Sequence, residues 1–132
     1  MKITGWLAPT GEFIQCHLWR HIETVKSNPI FIEKVPKIDK ILKDLDEMEE
    51  SCRETADREG ASNAEWHCYE IMEDKARPEI WRLLLNYGFI RVGEVDGNLH
   101  FEGRPNHLKD KYQMCKDFAD SYGAGAIFEP QK

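Results

Sequence analysis

Residues 89–102 read FIRVGEVDGNLHFE, and this stretch decides the fold. Alternating strands flank Asp96-Gly97, and a two-residue Asp-Gly loop predicts a β-hairpin with a type I′ turn. That loop length fixes the register, so Val92 should face Phe101, Glu94 should face Leu99 and Arg91 should face Glu102. One sheet face then holds Ile90, Val92, Leu99 and Phe101. The other face, expected to be wetter, holds Phe89, Arg91, Asn98, His100 and Glu102.

A second hairpin is expected at the start of the chain, with strands at 3–8 and 12–16. Pro9-Thr10-Gly11 lies between these strands. Proline presets the second position of the turn, and Gly11 takes the position that requires a positive φ. Ala126-Ile127-Phe128 has the composition of a final strand. These strands predict one small antiparallel sheet.

Apolar residues in steps of three and four predict the helices. The clearest helix covers Lys37–Glu59, KIDKILKDLDEMEESCRETADRE. Its stripe should lie on a core or form a short coiled-coil seam, and consists of Ile38, Ile41, Leu45, Met48 and Cys52. Another helix is expected over Cys16–Ser27, ended by Pro29. The run at 30–32 is interpreted as a small strand or a buried linker.

Further helix boundaries complete the predicted architecture. Ser62 or Asn63 should begin a helix in which Pro78 introduces a kink, or at which two helices meet near Arg77. Gly88 should stop that pattern, and the last helix should run from Pro105 to a glycine stop at Gly123. The elements together predict a single α+β domain over residues 1–132, with two β-hairpins packed by four to five helices.

Composition limits the classes of function. The 132 residues carry a net charge of −6, which argues against duplex nucleic acid as a partner because phosphate contacts demand a basic face. No apolar run approaches the length of a membrane span, and no signal segment precedes the first strand. Four cysteines lie far apart without a C-x-x-C pair, so we expect free thiols and a cytoplasmic location.

Polar side chains gather around the turn that follows the second hairpin, and they predict a ligand-binding site for an anion or nucleotide. Its residues are His100, Arg104, Asn106 and His107. Pro105 would open a helix whose free N–H groups meet a phosphate, Arg104 would supply fixed charge, and Tyr112 or Trp6 could stack a base. The alternative is that Asn106 caps the helix and Arg104 lies in solvent.

A metal-dependent or hydrolytic site is the competing interpretation. His17 and His21 would share one helical face, Cys16 could join them, and His67-Cys68 offers a second pair. The spacing fits no standard zinc motif, and the nucleophile and phosphate-loop motifs are missing from the sequence. No catalytic residue, metal or cofactor is therefore predicted. The acidic face of Lys37–Glu59 could mimic the charge of nucleic acid or dock a basic partner, or it is an ordinary solvated surface.

The opening of the chain resembles that of small phage and prophage proteins with the pattern G-W-x-x-P-x-G-x-F-x-x-C-x-x-x-x-H. The residues that match are Gly5, Trp6, Leu7, Pro9, Gly11, Phe13, Cys16 and His21. The segment from Leu84 to Val92 is similar to their L-x-x-x-G-aromatic-I/V-basic-V segment. The resemblance implies a viral origin, and by analogy an inhibitor of bacterial defence that acts in the cytosol of the infected host.

Two functional hypotheses follow. The first is a non-enzymatic binding protein that sequesters a bacterial defence protein or a small cyclic nucleotide signal. The second is a small enzyme that uses Cys16, His17 and His21. A homodimer is also compatible with the sequence, through the heptad-like helix face or through unpaired strand edges.

Overall fold

A computed structural model describes residues 3–16, 21–59 and 62–131, with side chains apart from those at 52, 53, 55–59 and 62–73. The described residues form five strands and six helices, which confirms the α+β class. The strands are β1 Thr4–Leu7, β2 Phe13–Gln15, β3 Ile90–Val95, β4 Asn98–Gly103 and β5 Gly125–Pro130. The helices are α1 His21–Ser27, α2 Pro29–Lys34, α3 Lys37–Glu59, α4 Ser62–Asn86, α5 Pro105–Asp110 and α6 Tyr112–Tyr122.

The chain divides into two compact units. The first unit comprises Met1–Arg20 and Leu84–Lys132 and contains the sheet, α5 and α6. The second comprises His21–Leu83, with α1, α2, α3 and most of α4. The single domain expected over residues 1–132 stays a prediction. In the described ranges, no helix is both long and apolar enough to cross a bilayer.

All five strands join one sheet in the order β2-β1-β3-β4-β5. Three of the four neighbouring pairs are antiparallel, and the fourth, β4 with β5, is parallel. The sheet is therefore mixed, and the prediction of an antiparallel sheet is right for β1 to β4 and wrong for β5. The physical reason is the connection: α5 and α6 form a crossover that returns the chain to the end of the sheet at which β4 began. The final strand itself is confirmed.

The β3–β4 hairpin has the predicted register. Val92 lies opposite Phe101, and Arg91 lies opposite Glu102. The loop residues Asp96 and Gly97 have φ values of 52° and 80°, as a type I′ turn requires.

The β1–β2 hairpin is confirmed as well, with strands shorter than expected. The amide of Gly11 donates to the Ala8 carbonyl at 2.9 Å, and the amide of Ala8 donates to the Glu12 carbonyl at 2.8 Å. Gly11 has a φ of 96°, so it occupies the position that excludes most side chains. This geometry is a three-residue loop built on a turn that begins at Ala8.

The first unit packs α5 and α6 against one face of the sheet. Its buried cluster consists of Leu7, Ile90, Val92, Leu99, Phe101, Leu108, Cys115 and Ala119. The face predicted to be wetter is not uniformly wet, because Phe89 and Arg91 are both buried. Strand alternation assigns side chains to a face but does not say whether that face is covered, and this caused the error.

The last predicted helix is two helices, because α5 ends at Asp110 and α6 begins at Tyr112. Lys111, at φ −109° and ψ 16°, separates them. The stop at Gly123 is confirmed, with a left-handed φ of 79°.

The second unit corrects two predictions and describes a third only in part. Residues 30–32 are neither strand nor linker but lie in α2, because the Asn28 side chain accepts from the Ile30 amide at 3.2 Å and so begins a helix there. Pro78 lies inside α4, which runs on as one helix, so the two-helix alternative near Arg77 is wrong. The helix expected from Cys16 is described only as α1, because residues 17–20 lie outside the described ranges.

Candidate functional site

His100 lies on β4 and its side chain is 21% exposed. Its Nδ1 atom is 2.8 Å from Oε1 of Glu129, a residue on β5. Glu129 in turn lies directly opposite Glu102 in the parallel β4–β5 pair. His100 therefore belongs to a side-chain cluster on the sheet face and already has a partner.

A row of side chains crosses four strands beside this cluster. Trp6 on β1 is registered with Arg91 on β3, Arg91 with Glu102 on β4, and Glu102 with Glu129 on β5. The buried Arg91 guanidinium lies 5.3 Å from the centre of the Trp6 ring, and Nη2 donates to the Cys16 carbonyl at 3.3 Å. The row thus combines a cation–π contact, a carbonyl acceptor and opposed carboxyl groups.

Burial shifts the pKa values of Arg91 and Glu102 in opposite directions. It lowers the pKa of Arg91, against the attraction of Cys16 and Glu102. Burial raises the pKa of Glu102, and the charge of Glu129 and a hydrogen bond with it raise that pKa further, while Arg91 and His100 oppose the rise. The neutral form of Glu102 is therefore more favoured than that of an ordinary exposed glutamate.

Arg104 is held by groups of its own unit. Its Nε donates to Oδ1 of Asn86 at 2.8 Å, and its Nη1 donates to the carbonyl of Gln131 at 3.2 Å. Arg104 is the N-cap residue of α5, and no side chain caps that helix. The alternative to a ligand site, in which Asn106 caps the helix and Arg104 lies in solvent, is therefore wrong in both parts. Asn106 lies inside α5 and does not cap it, and the Arg104 side chain contacts Asn86 and Gln131.

His107 is half-buried in α5, whereas Asn106 is exposed. The Nδ1 atom of His107 is buried and, in the part of the chain that the structure describes, has no hydrogen-bond partner. Its ring lies beside Gly88, where an added Cβ would be 3.9 Å from Cδ2.

Within the described ranges, no hydrogen bond joins any two of the predicted ligand residues His100, Arg104, Asn106 and His107. Their role as a ligand site stays a prediction. Trp6 has no exposed surface, so it is unable to stack a base. Tyr112 is 48% exposed and already stacks on Phe128, with ring centres 4.8 Å apart.

The residues of the competing enzyme hypothesis are described in part. Cys16 is buried, and His21 is buried with its ring stacked 5.7 Å from that of Trp81. His17 and the side chains of His67 and Cys68 lie outside the described residues. Across the described residues, no group of three His, Cys, Asp or Glu side chains is arranged to hold a metal ion. A site that includes His17 stays a prediction.

A groove in the second unit was missed by the sequence argument. It has a volume of about 310 Å³ and lies between α3 and α4. The lining residues are Lys40, Ile41, Asp44, Leu45, Met48, Lys75, Ala76 and Glu79. The sequence signal for this groove was the apolar stripe of α3, but its later residues, Leu45 and Met48, were expected to lie on a core.

The burial of α3 explains why the stripe was misread. Ile38 and Leu42 are buried, Ile41 and Leu45 are half-buried, and Met48 is 49% exposed. The buried line therefore passes through Leu42, a residue that the predicted stripe omitted. The stripe leaves Met48 in the groove instead of the core.

Comparison of the chain with protein-family models, with curated proteins and with solved structures finds no match.

Proposed function

We propose that this chain is a non-enzymatic binding protein that holds a basic amphipathic helix of a partner protein in the groove between α3 and α4. The observation that carries the proposal is the groove itself, about 310 Å³ with an exposed apolar floor. Isolated exposed apolar residues are common on protein surfaces, whereas a concave apolar strip with a charged rim is typical of interaction sites.

The floor of the groove suits a helical ligand. Ile41, Leu45 and Met48 follow the i, i+4, i+7 spacing, so they form one strip along α3. Helix-in-groove recognition pairs such a strip with apolar residues at the same spacing on the partner. Met48, half exposed and unbranched, can adapt its thioether to the partner's side chains.

The acidic excess of α3 supports a basic partner, while the charged residues that line the groove itself, Lys40, Asp44, Lys75 and Glu79, balance one another. The α3 segment carries nine acidic and five basic residues, so it holds −4 of the chain's net charge of −6. One run of α3, from 44 to 50, contains five acids and no base: Asp44, Asp46, Glu47, Glu49 and Glu50. Asp46 pairs with Lys26. Lysines or arginines on the partner would be steered towards this run and would set its orientation.

The polar residues of the first unit favour binding over catalysis. A general acid or base must reach a substrate, yet His100 contacts Glu129 and Arg104 contacts Asn86 and Gln131. The resemblance of the Gly5–His21 segment to phage proteins suggests the partner class, a bacterial defence protein sequestered in the cytosol of the infected host. This origin and this partner are part of the proposal.

The test uses a synthetic basic amphipathic helical peptide as the probe, with leucines at i, i+4 and i+7 and lysines elsewhere. A scrambled peptide of identical composition has the same charge and no apolar face. We expect the wild-type chain to bind the amphipathic peptide at least about tenfold more tightly than the scrambled one, a difference of about 1.4 kcal/mol. Calorimetric titration measures both affinities.

Two variants localise the binding. Met48→Lys places a positive charge in the floor of the groove and should weaken binding of the amphipathic peptide by about tenfold or more. Val95→Lys is the matched control, because Val95 is 51% exposed on β3 of the other unit. Equal binding of the two peptides, or equal loss in both variants, would contradict the proposal.

A second measurement addresses the partner class. Lysate of a bacterial host is passed over the wild-type chain, Met48→Lys and Val95→Lys, and the captured proteins are identified. A defence protein retained by the wild type and by Val95→Lys but lost with Met48→Lys is the expected result. Retention that is independent of Met48 would refute the groove as the docking site.

A further inference from the structure

The outer edge of β5 is a second surface, independent of the groove. β5 stands last in the sheet order, and within the described ranges no strand pairs with its outer side. It has six residues, Gly125–Pro130, whereas the opposite edge strand β2 has only three. An edge of this length presents a row of backbone donors and acceptors that another strand can meet.

The direction of the β5 backbone follows from one hydrogen bond just beyond the strand. The amide of Gln131 donates to the carbonyl of Gly103 on β4 at 2.8 Å. In a parallel pair, alternate residues direct both backbone groups to the neighbour, so Glu129 and Ile127 also bond to β4. The N–H and C=O groups of Ala126 and Phe128 therefore point away from the sheet.

Side chains protect only the end of this edge. Native edge strands are commonly protected by lysine, by proline, by inward-pointing charges or by a bulge, and in β5 the proline is the last residue, Pro130. Here Ile127 is 39% exposed on one face of β5. On the other face Tyr112 is 48% exposed and stacks on Phe128. The charged residue of the strand, Glu129, is engaged with His100.

We propose that β5 pairs antiparallel with β5 of a second copy of this chain, around a two-fold axis at Ile127. Ile127 then faces Ile127 of the second copy in a non-hydrogen-bonded pair, the arrangement that brings side chains closest. Ala126 faces Phe128 of the second copy, and Phe128 faces its Ala126. Each of these two pairs exchanges two N–H···O=C bonds through the outward-pointing backbone groups.

The strand is complementary to itself about this axis. Gly125 faces Glu129 of the second copy, so the two carboxylates are apart and each lies over a residue without a side chain. Pro130 has no N–H to donate, so the ladder ends there. Self-complementarity about a central residue is what a two-fold symmetric interface requires, and this favours a second copy over an unrelated strand.

The oligomeric state in solution tests the pairing. Sedimentation equilibrium over about a hundredfold range of concentration should show a monomer–dimer equilibrium for the wild type. Ile127→Lys places two like charges at the axis and should give a monomer throughout the range. Val95→Lys, on the same sheet face but two strands from the edge, should dimerise as the wild type does. A wild type that stays monomeric, or an Ile127→Lys variant that still dimerises, would overturn the proposal.

Two further measurements hold even if Ile127→Lys folds poorly. Ile127→Cys should form an intermolecular disulfide under mild oxidation, because facing residues of a non-hydrogen-bonded pair lie within disulfide reach. Val95→Cys is the control and should not form one. Amide exchange at Ala126 and Phe128 should slow as the protein concentration rises. Equal cross-linking of the two variants, or exchange that is independent of concentration, would contradict the pairing.

Discussion

Phe101→Ala should destabilise the first unit, because the Phe101 ring packs the sheet against the segment that connects β4 to β5. Phe101 is fully buried on β4. Its ring stacks on that of Phe128 at 5.4 Å and meets that of Phe118 edge-on at 6.5 Å. Phe128 lies on β5 and Phe118 on α6, so one ring contacts both the second helix of the crossover and the strand that follows it.

The expected loss follows from burial and cavity formation. Truncating a buried phenylalanine costs about 3–5 kcal/mol of the free energy of unfolding, a large share of the roughly 5–15 kcal/mol typical of a domain. With an unfolding entropy of about 2.1 cal/mol/K per residue, a loss of about 4 kcal/mol lowers the Tm of a 132-residue chain by about 14 °C. Phe101→Leu should cost less, about 1.5 kcal/mol, because most of the volume remains.

Denaturant unfolding followed by circular dichroism measures these free energies. Val95→Ala is the control and should change stability by less than about 0.5 kcal/mol, because Val95 is half exposed. A double-mutant cycle between Phe101→Ala and Phe128→Ala should give a coupling of about 0.5–1.5 kcal/mol for the stacked pair. A folded Phe101→Ala variant that loses less than about 1 kcal/mol would refute the assigned packing.

Three further predictions concern the first unit. Because the pKa of Glu102 is raised, its protonated form stabilises the folded chain fully below the ordinary carboxyl pKa, and this stability is lost as the pH rises through the raised pKa. Glu102→Gln can still donate to Glu129 but does not titrate. It should therefore flatten the fall in unfolding free energy between acid and neutral pH. Gly5→Ala should destabilise by about 3 kcal/mol in denaturant unfolding, because the new Cβ would collide with the carbonyl oxygen of Ile14, and an unchanged midpoint would contradict this. Burial raises the pKa of the Cys115 thiol to about 11, so native protein near pH 8 should be alkylated there about a hundredfold more slowly than unfolded protein, as site-resolved mass spectrometry can measure.

Local turn chemistry made the hairpins predictable. The Asp96-Gly97 loop sets the β3–β4 register through residues that adjoin it in sequence, and Gly11 does the same for β1–β2. The Asn28-Pro29 pair shows the limit of such signals. It ends α1 as predicted, yet it also begins α2, because asparagine is a favoured N-cap and proline a favoured first residue.

Long-range pairing was not predictable from local patterns. The composition of β5 indicated a strand, but its parallel pairing with β4 depends on the path of the crossover through α5 and α6. The partner of His100 was missed for the same reason, because Glu129 is 29 residues away in sequence and comes beside it only through that pairing. The predicted ligand site therefore included His100 but not Glu129, the residue that the structure places beside it.

The sequence and the structure direct attention to different candidate surfaces. Arg104 and His100 were predicted as ligand residues because they are polar and lie near one turn, and both form hydrogen bonds with groups of their own unit. Met48 and Ile127 carry no catalytic signature, yet each is a large apolar side chain left exposed next to an unpaired groove or edge. Because they lie in different units, Met48→Lys should weaken peptide binding by about tenfold or more without changing the oligomeric state. Ile127→Lys should prevent dimerisation without changing peptide binding. A variant that changed both properties would mean that the two surfaces act as one.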